Sequence, residues 1–242
     1  DGDELSLSLE STNSSIAVSF EENGYLSFDG LNDYVDFGSS DLFDLDDFTI
    51  SLWYNSFENP DTHDYRLLLS RGDAYGIYIV EGGALKVNVF SLNLYTEQSY
   101  SDGQWHHVVA TRNSISGLLS LYVDGNLIVS DNGPTGVLDV DNDLYFSKYW
   151  PNNPHYNNCN GDELSIWNRV LSSDEISNLN VVDIEDSGLI GYCNFNEGSD
   201  NVLYDLSGNN LNGTIYGATW DFNPYGGISI NSVENYNGSG IV

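Results

Sequence analysis

Short stretches in which Val, Ile, Leu, Tyr and Phe alternate with polar residues recur along this chain of 242 residues. Gly, Asn and Asp separate these stretches, and such a spacing of turn residues is typical of an all-β sandwich. The predicted strands are Tyr25–Phe28, Tyr34–Phe37, Phe48–Tyr54, Arg66–Ser70, Gly76–Val80, Leu85–Phe90, His106–Arg112, Ser120–Val123, Asn126–Val129, Leu144–Phe146 and Glu163–Trp167. A chain of this length is long enough to bury a large core as one domain.

Two local patterns add detail to the predicted strands. Asp124-Gly125 lies between two of them and predicts a hairpin, because its tight turn needs positive φ angles that Asp and Gly tolerate. Ser172 is followed three positions later by Glu175, a capping-box spacing that predicts one short helix running to about Leu179.

The charge balance restricts the partners of the protein. Acidic residues number 37 and basic residues six, which gives a formal charge of −31. Nucleic acid is excluded as a partner because the few cations are scattered and form no basic stripe to neutralise phosphates. We also expect no membrane insertion, because no apolar run approaches the roughly 20 residues that span a bilayer.

The composition indicates the setting of the domain. The chain begins at Asp1 and contains no Met, so we expect a mature fragment of a larger protein. An excess of carboxylates suits a saline, calcium-containing medium, and it also simply keeps a protein soluble. Cys159 and Cys193 are either free thiols or one disulfide, and an extracellular location favours the disulfide.

Four segments in a fixed order resemble the laminin-G-like, concanavalin A-like jelly-roll family. They are LSFDGLNDYVDFG (26–38), DGQWHHVVATR (102–112), SLYVDGNLI (120–128) and GDELSIWNRVLSSDEI (161–176). The resemblance covers roughly residues 25–179 and implies a two-sheet antiparallel jelly roll with one short helix. It favours a binding module over an enzyme, although proteins with this fold have many functions.

The segment 188–221 resembles the lead-in that normally precedes such a jelly roll, yet here it follows one. It is either the start of a second repeat or a set of strands that closes this sandwich. We favour closure, because an isolated pair of apolar strands would expose its edges. The expected organisation is one domain over residues 1–222, with 188–222 supplying closing strands, and a Gly- and Asn-rich linker over 223–242.

The resemblance also implies a calcium site, where a loop after the first strands meets the acids of the GDE-like strand. The candidate ligands are Asp29, Asp162, Asp205 and Asn209. Calcium prefers several oxygen ligands from carboxylates, amides and carbonyls. The same Asp-Gly and Ser-Gly-Asn motifs are also ordinary turn formers, so both interpretations stay open.

The loop 148–158, KYWPNNPHYNN, does not alternate like a strand. Its aromatic rings could stack on sugar rings while its amides bind hydroxyl groups, as a glycan site requires. A lid packed over the core would have the same composition. The candidate ligand-binding residues are Tyr149, Trp150, Asn152, His155 and Tyr156.

Catalysis has little support in the sequence. Retaining glucanases of this fold place two acids on one strand in a Glu-x-Asp-x-Glu pattern, which is absent here. A polysaccharide lyase would need basic residues against uronates. The leading prediction is a non-catalytic, calcium-stabilised carbohydrate-binding or adhesin module, monomeric within a larger secreted or cell-surface protein. A protein-binding or spacer module is the alternative, and a glycan-active enzyme is a remote one.

Overall fold

The computed structural model describes residues 14–20, 23–61, 64–149, 155–179, 182–223 and 228–235. The chain divides into a main unit of residues 24–222 and a small unit made from residues 1–23 and 223–242. The strands are β1 (Ser14–Phe20), β2 (Asn23–Asp29), β3 (Tyr34–Asp36), β4 (Phe48–Ser56), β5 (Tyr65–Arg71), β6 (Tyr75–Val80), β7 (Ala84–Val89), β8 (Leu92–Ser99), β9 (Trp105–Arg112), β10 (Leu118–Val123), β11 (Asn126–Asn132), β12 (Tyr145–Phe146), β13 (Asn158–Trp167), β14 (Leu189–Cys193), β15 (Val202–Leu203), β16 (Gly213–Tyr216), β17 (Thr219–Asn223) and β18 (Ile228–Asn235). The helix α1 spans Ser173–Ser177, and 3₁₀ turns span Asp41–Phe43 and Glu81–Gly83.

Two antiparallel sheets form the main unit, which confirms the predicted all-β sandwich. The first sheet has the order β11-β10-β9-β4-β13-β2-β17, and β14 also pairs with β13. The second sheet has the order β15-β16-β3-β12-β5-β6-β7-β8. In the small unit, β1 pairs with β18.

The core lies between the inner faces of the two sheets. Alternation along β2 buries every second side chain, and Leu26 and Phe28 point into the core. Phe146 of β12 stacks on Phe28 at 5.3 Å between ring centroids. Its ring also covers the bare backbone of Gly161 on β13, where a Cβ atom would lie 2.4 Å from it. A side chain at position 161 would therefore force the sheets apart.

The segment 188–222 contributes strands to both sheets. β14 pairs with β13, β17 lies beside β2, and β16 pairs with β3. β14 and β2 follow one another along the same edge of β13, and the Gly24 N–H donates to Asn196 Oδ1 at 2.7 Å where they meet. Ile190 and Phe195 are buried in the common core, so the apolar residues of this segment pack within the main unit.

One described segment, residues 228–235, lies within the predicted linker 223–242. Residues 228–235 form β18, which pairs antiparallel with β1 in the small unit. Both segments carry short alternating runs, with Ile228 and Ile230 in one and Ile16 and Val18 in the other. Each run forms one strand of this two-stranded sheet.

The two local patterns are confirmed. Asp124 and Gly125 have φ angles of 50° and 76°, and they turn β10 into β11. The Ser172 side chain caps Glu175, whose own carboxylate accepts the Ser172 N–H at 2.7 Å. Within the described residues no helix has the length and apolar character needed to cross a bilayer.

The predicted disulfide between Cys159 and Cys193 is wrong, because both are free and buried. Cys159 lies opposite Phe28 of β2, whereas Cys193 lies opposite Leu164, five positions further along β13. Five residues of strand span about 15 Å, but the Cα atoms of a disulfide lie within about 7 Å. The common core holds each thiol separately, and burial raises the pKa of both.

We expect the purified protein, unfolded in denaturant without reductant, to show two reactive thiols per chain in a colorimetric thiol assay. The same assay on the native protein should show almost none, because both thiols are buried and protonated. Absence of reactive thiols in the unfolded, unreduced sample would contradict the structure.

His107 is a buried group whose titration should affect stability. Its Nε2 lies 2.7 Å from Ser51 Oγ, and its ring stacks on Trp53 at 5.0 Å between centroids. Burial disfavours the charged imidazolium and lowers the pKa of His107 to about 4. The neutral ring is therefore a structural part of the first sheet.

Acidification should destabilise the protein through His107. The unfolded chain binds this proton near pH 6.5 and the folded chain only near pH 4, so stability falls as pH drops through that window. The loss is at most about 3 kcal/mol. Urea unfolding of wild type and His107→Gln at pH 7 and pH 4.5 measures it, and the variant should lose less stability between the two pH values. Equal losses would contradict the assignment.

Candidate functional site

The outer face of the second sheet carries a continuous group of aromatic side chains, called here the tyrosine face. Because strand residues alternate, burial of Val35, Phe146 and Ile77 in the core turns their neighbours outward. The tyrosine face consists of Tyr34, Tyr65, Tyr78, Tyr145, Tyr149, Tyr156 and Tyr216. They come from five strands and from the two ends of the loop that follows β12.

One half of the tyrosine face is centred on Tyr34 of β3. Its ring stacks on Tyr216 of the neighbouring β16 at 4.6 Å, and Tyr145 of β12 meets it edge-on at 6.1 Å. Tyr156 lies 6.1 Å away on the loop side. Tyr216 is 45% exposed and Tyr145 only 5%, so this half has a buried base with an accessible rim.

The other half is centred on Tyr65 of β5. His155 stacks on its ring at 4.1 Å, while Tyr78 and Tyr149 meet it edge-on at 5.6 and 5.9 Å. The Tyr78 ring lies over Gly76, where a Cβ atom would be only 2.8 Å from it. Glycine at position 76 therefore allows this ring to lie flat on the sheet.

Each half holds one lysine against its rings. Lys148 Nζ lies 3.6 Å from the Tyr34 ring centroid, and Lys86 Nζ lies 3.6 Å from that of Tyr78. The negative face of an aromatic ring attracts such a cation. Burial lowers the pKa of both lysines, to about 8 for Lys86, and for Lys148 the nearby Asp36 acts in the opposite direction.

Two clefts open on this face. Cleft A has a volume of about 290 Å³ and is lined by Ser39, Gly72, Asp141, Asn142, Asp143, Tyr145 and Tyr149. Cleft B has a volume of about 460 Å³ and is lined by Asp64, Tyr65, Val80, Glu81, Ala84, Lys86, Tyr95, Thr96 and Glu97. Tyr149 lines cleft A, Tyr65 lines cleft B, and the two rings meet edge-on. A ligand that crosses this pair would contact both clefts.

A buried arginine holds the wall of cleft A. Arg71 is 2% exposed, donates to the backbone carbonyls of Val140 and Asn142, and lies 2.8 Å from Asp44 Oδ1. Hydrogen bonds to charged groups are stronger than neutral ones. The loop that presents Asp141 to cleft A is therefore tied to the core.

Hydrogen bonds orient the two tyrosines of cleft A. Tyr149 donates to Asp73 at 2.7 Å, and Tyr145 donates to Asp143 at 2.8 Å. Burial, followed by these carboxylates, raises the pKa of both phenols. Both rings therefore stay neutral and fixed at neutral pH.

The structure brings two of the five predicted glycan-contacting residues together, because Tyr149 and His155 both contact the Tyr65 ring. Tyr156 lies against Tyr34 in the other half of the tyrosine face, and His155 Nδ1 lies 3.0 Å from Asp64 Oδ1. Trp150 and Asn152 lie outside the described residues. The sequence of the loop indicated which of its aromatic residues could bind a ligand. It did not indicate which strand residues they contact.

Most of the tyrosine face was missed by the sequence analysis. Tyr34 and Tyr78 lie in predicted strands, Tyr216 lies in the closing segment 188–222, and Tyr65 directly precedes the predicted strand Arg66–Ser70. None of the four was among the candidate ligand-binding residues. The available signal was their position in the alternating pattern, at places where polar residues are expected, as with the tyrosines beside the buried Val35 and Ile215. Large aromatics in that phase point away from the core.

Two of the four predicted calcium ligands, Asp205 and Asn209, lie close together. Asp205 accepts the Tyr192 and Ser207 N–H groups on one oxygen at 3.0 and 2.9 Å, and the Leu211 N–H on the other at 2.9 Å. The Asn209 amide donates to a β14 carbonyl at 3.0 Å. These contacts hold the loop against β14.

The other two predicted ligands lie elsewhere. Asp29 caps a turn by accepting the Leu31 N–H at 2.8 Å, and it lies opposite Asn158. Asp162 is buried on β13, four positions or about 13 Å further along the strand. The four residues therefore do not fit one calcium site, and calcium as a cofactor stays a prediction. Across the described ranges, no group of three or more His, Cys, Asp or Glu side chains could hold a metal ion.

Lys86 should titrate far below an ordinary lysine. Its folded pKa of about 8 lies below the usual 10.5, so the unfolded chain binds more protons between these values and stability rises with pH across that window. The chain has only two lysines. A ¹³C-lysine NMR titration should show one signal with a midpoint near 8 that is absent in Lys86→Met. An ordinary midpoint for that signal would contradict this environment.

Comparisons with known proteins agree with this architecture. The Laminin_G_3 family model, described as the concanavalin A-like lectin/glucanases superfamily, matches residues 28–177. The non-toxic nonhemagglutinin of Paraclostridium bifermentans is 26% identical over 166 residues, which are 64% of this chain and 14% of that protein. This chain therefore spans a small part of that relative.

Two solved structures share the fold at low sequence identity. A protein of Bacteroides ovatus ATCC 8483 assigned to carbohydrate binding has a TM-score of 0.72 and 16% identity, over 88% of this chain and 62% of that one. The heptameric SAP-like pentraxin of Limulus polyphemus has a TM-score of 0.53 and 14% identity, over 71% of this chain and 93% of that one. On the strength of the family match, this chain belongs to the concanavalin A-like lectin/glucanases superfamily.

Proposed function

We propose that this chain is a non-catalytic carbohydrate-binding module of a larger extracellular protein, and that its glycan lies across the tyrosine face. The observation that carries the proposal is the Tyr65–Tyr149 pair with an open cleft on each side. Aromatic faces stack on the apolar faces of sugar rings, and polar groups in the clefts bind hydroxyls. The family membership and the carbohydrate-binding relative support the same class of ligand.

The clefts supply the polar contacts that orientation of a sugar requires. Ser39 and Asn142 line cleft A beside the Tyr149 ring, and the exposed Glu97 lines cleft B beside Tyr95. Tyr95 is 52% exposed, so its ring is available to a ligand. Rings already held by neighbours lose little side-chain freedom on binding, and this preorganisation favours affinity.

His106 and His107 of β9 both have structural contacts. His106 lies between Asp102 and Asp124 at 3.2 and 2.9 Å. His107 contacts Ser51 and Trp53, as described above. Both lie on the first sheet, away from the tyrosine face, and this placement supports a binding role without catalysis at that face.

Replacing Tyr149 or Tyr95 with Ala should weaken glycan binding roughly tenfold, because each removes a stacking ring worth about 1 kcal/mol or more. Wild type is first screened on an array of neutral oligosaccharides, and calorimetry then compares the variants on the best ligand. The array supernatant is also assayed for released sugars, which a binding module should not produce.

Phe57→Ala is the matched control. Phe57 is an aromatic residue, 78% exposed, that lines a third cleft beside Asn55 and Asn160, away from the tyrosine face. Its removal should leave affinity unchanged. Loss of binding in Phe57→Ala alone would move the glycan to that third cleft and overturn the assignment of the tyrosine face.

A protein-binding module is the second candidate. The observation in its favour is a set of apolar side chains on and near β11, the last strand of the first sheet among the described residues, where Ile115, Leu118 and Leu127 are 87%, 40% and 55% exposed. An unpaired edge with apolar neighbours can add a strand or a groove ligand from another chain. Complete absence of glycan binding on the array would favour this second function.

A further inference from the structure

We propose that the tyrosine face selects uncharged or amino-bearing glycans and rejects glycans that carry carboxylates, such as sialylated or uronate-containing chains. This inference rests on the proposed function and names the ligand class of the same site. Three sets of observations carry it: the carboxylates around the clefts, the contacts of the nearby cations, and the charge of the whole chain.

Carboxylates surround cleft A on several sides. Asp141 and Asp143 line the cleft, and Asp73 fixes the Tyr149 hydroxyl at its rim. Asp36 lies opposite Tyr145 in the strand register, beside Asp143. A ligand carboxylate placed here would face like charges at short range, where water screens them less than in bulk solution.

Cations near cleft A are already engaged. Lys148 is 7% exposed, and its amine lies against the Tyr34 and Tyr145 rings at 3.6 and 4.6 Å. Arg71 is buried and holds the loop wall through carbonyls and Asp44. Neither presents the bidentate fork that carboxylate recognition favours.

Cleft B has the same sign of charge. Asp64, Glu81 and Glu97 line it together with Lys86, whose amine lies 3.6 and 5.2 Å from the Tyr78 and Tyr65 rings. The neighbouring Arg66 pairs with Asp64 at 2.6 Å and approaches Glu58 at 3.7 Å. Even with Arg66 counted beside Asp64, three carboxylates against two cations leave this cleft negative overall.

The net charge of −31 acts in the same direction but over a longer range. Salt removes this general repulsion, since the screening length falls to about 3 Å at 1 M. Repulsion inside a cleft is screened less. High salt therefore separates repulsion by the carboxylates of a cleft from repulsion by the net charge. A substitution that neutralises one carboxylate, inside or outside the cleft, separates the same two effects.

The test uses matched pairs of oligosaccharides that differ by one charged group. N-acetyllactosamine oligomers are compared with their sialylated forms, xylo-oligosaccharides with glucuronic-acid-substituted forms, and chitin oligomers with chitosan oligomers. Calorimetry at 0.15 M and 1 M salt gives each dissociation constant. We expect the acidic member of each pair to bind at least roughly tenfold more weakly, and the amino-bearing member at least as well as its neutral partner.

Asp141→Asn is the diagnostic variant, because Asp141 is exposed and lines cleft A. In this variant the ratio of the acidic to the neutral dissociation constant, measured on the same matched pairs, should fall several-fold. Asp131→Asn is the matched control, since Asp131 is exposed on β11 of the other sheet and changes the net charge equally. If the difference in affinity between neutral and acidic glycans shrinks equally in both variants, the preference comes from net charge. That result would overturn its assignment to the cleft.

The remaining outcomes separate the two proposals. Binding of acidic glycans equal to or tighter than that of neutral ones would overturn the charge selection and leave the carbohydrate-binding function standing. No binding of any oligosaccharide would overturn the function itself. Both proposals would be supported if neutral glycans bind, their acidic partners do not, and acidic binding returns in Asp141→Asn but not in Asp131→Asn.

Discussion

The contact between Phe146 and the bare backbone of Gly161 determines how the two sheets approach one another. Phe146 points inward from β12 and packs on Phe28 and Phe195, while Gly161 leaves the space that its ring needs. Aromatic burial of this kind contributes strongly to a core. Because β12 is extended, the same backbone that directs Phe146 inward directs Tyr145 outward, onto the tyrosine face.

The central position of β13 explains why the segment 188–222 contributes to the main unit. β4 occupies one edge of β13, while β2 and β14 share the other edge end to end. Without β14, backbone groups of Leu164–Trp167 on that edge would lack strand partners, which is costly for buried strands. The Asp205 carboxylate accepts the Tyr192 N–H of β14, and its three further hydrogen bonds, from Ser207 and Leu211, stabilise its own loop.

Scarce cations have structural positions in this acidic protein. Arg71 and Arg112 are buried and donate to loop carbonyls, and Arg169 bridges Glu175 and Asp186 at 2.7 and 2.5 Å. The two lysines lie on tyrosine rings of the outer face. The protein thus uses its few positive charges to hold loops and rings, which leaves negative charge at the clefts.

The sequence by itself determined the sandwich class, the Asp124-Gly125 turn and the capped helix at Ser172, because each depends on residues close together in the chain. It also indicated Tyr149, His155 and Tyr156 as one aromatic group. Strand register decided the rest: it placed Cys159 and Cys193 too far apart to bond and separated Asp29 from Asp162 along β13. Tertiary structure alone brought Tyr34, Tyr65 and Tyr78 to one face with that loop, because pairing between distant strands sets which outward side chains become neighbours.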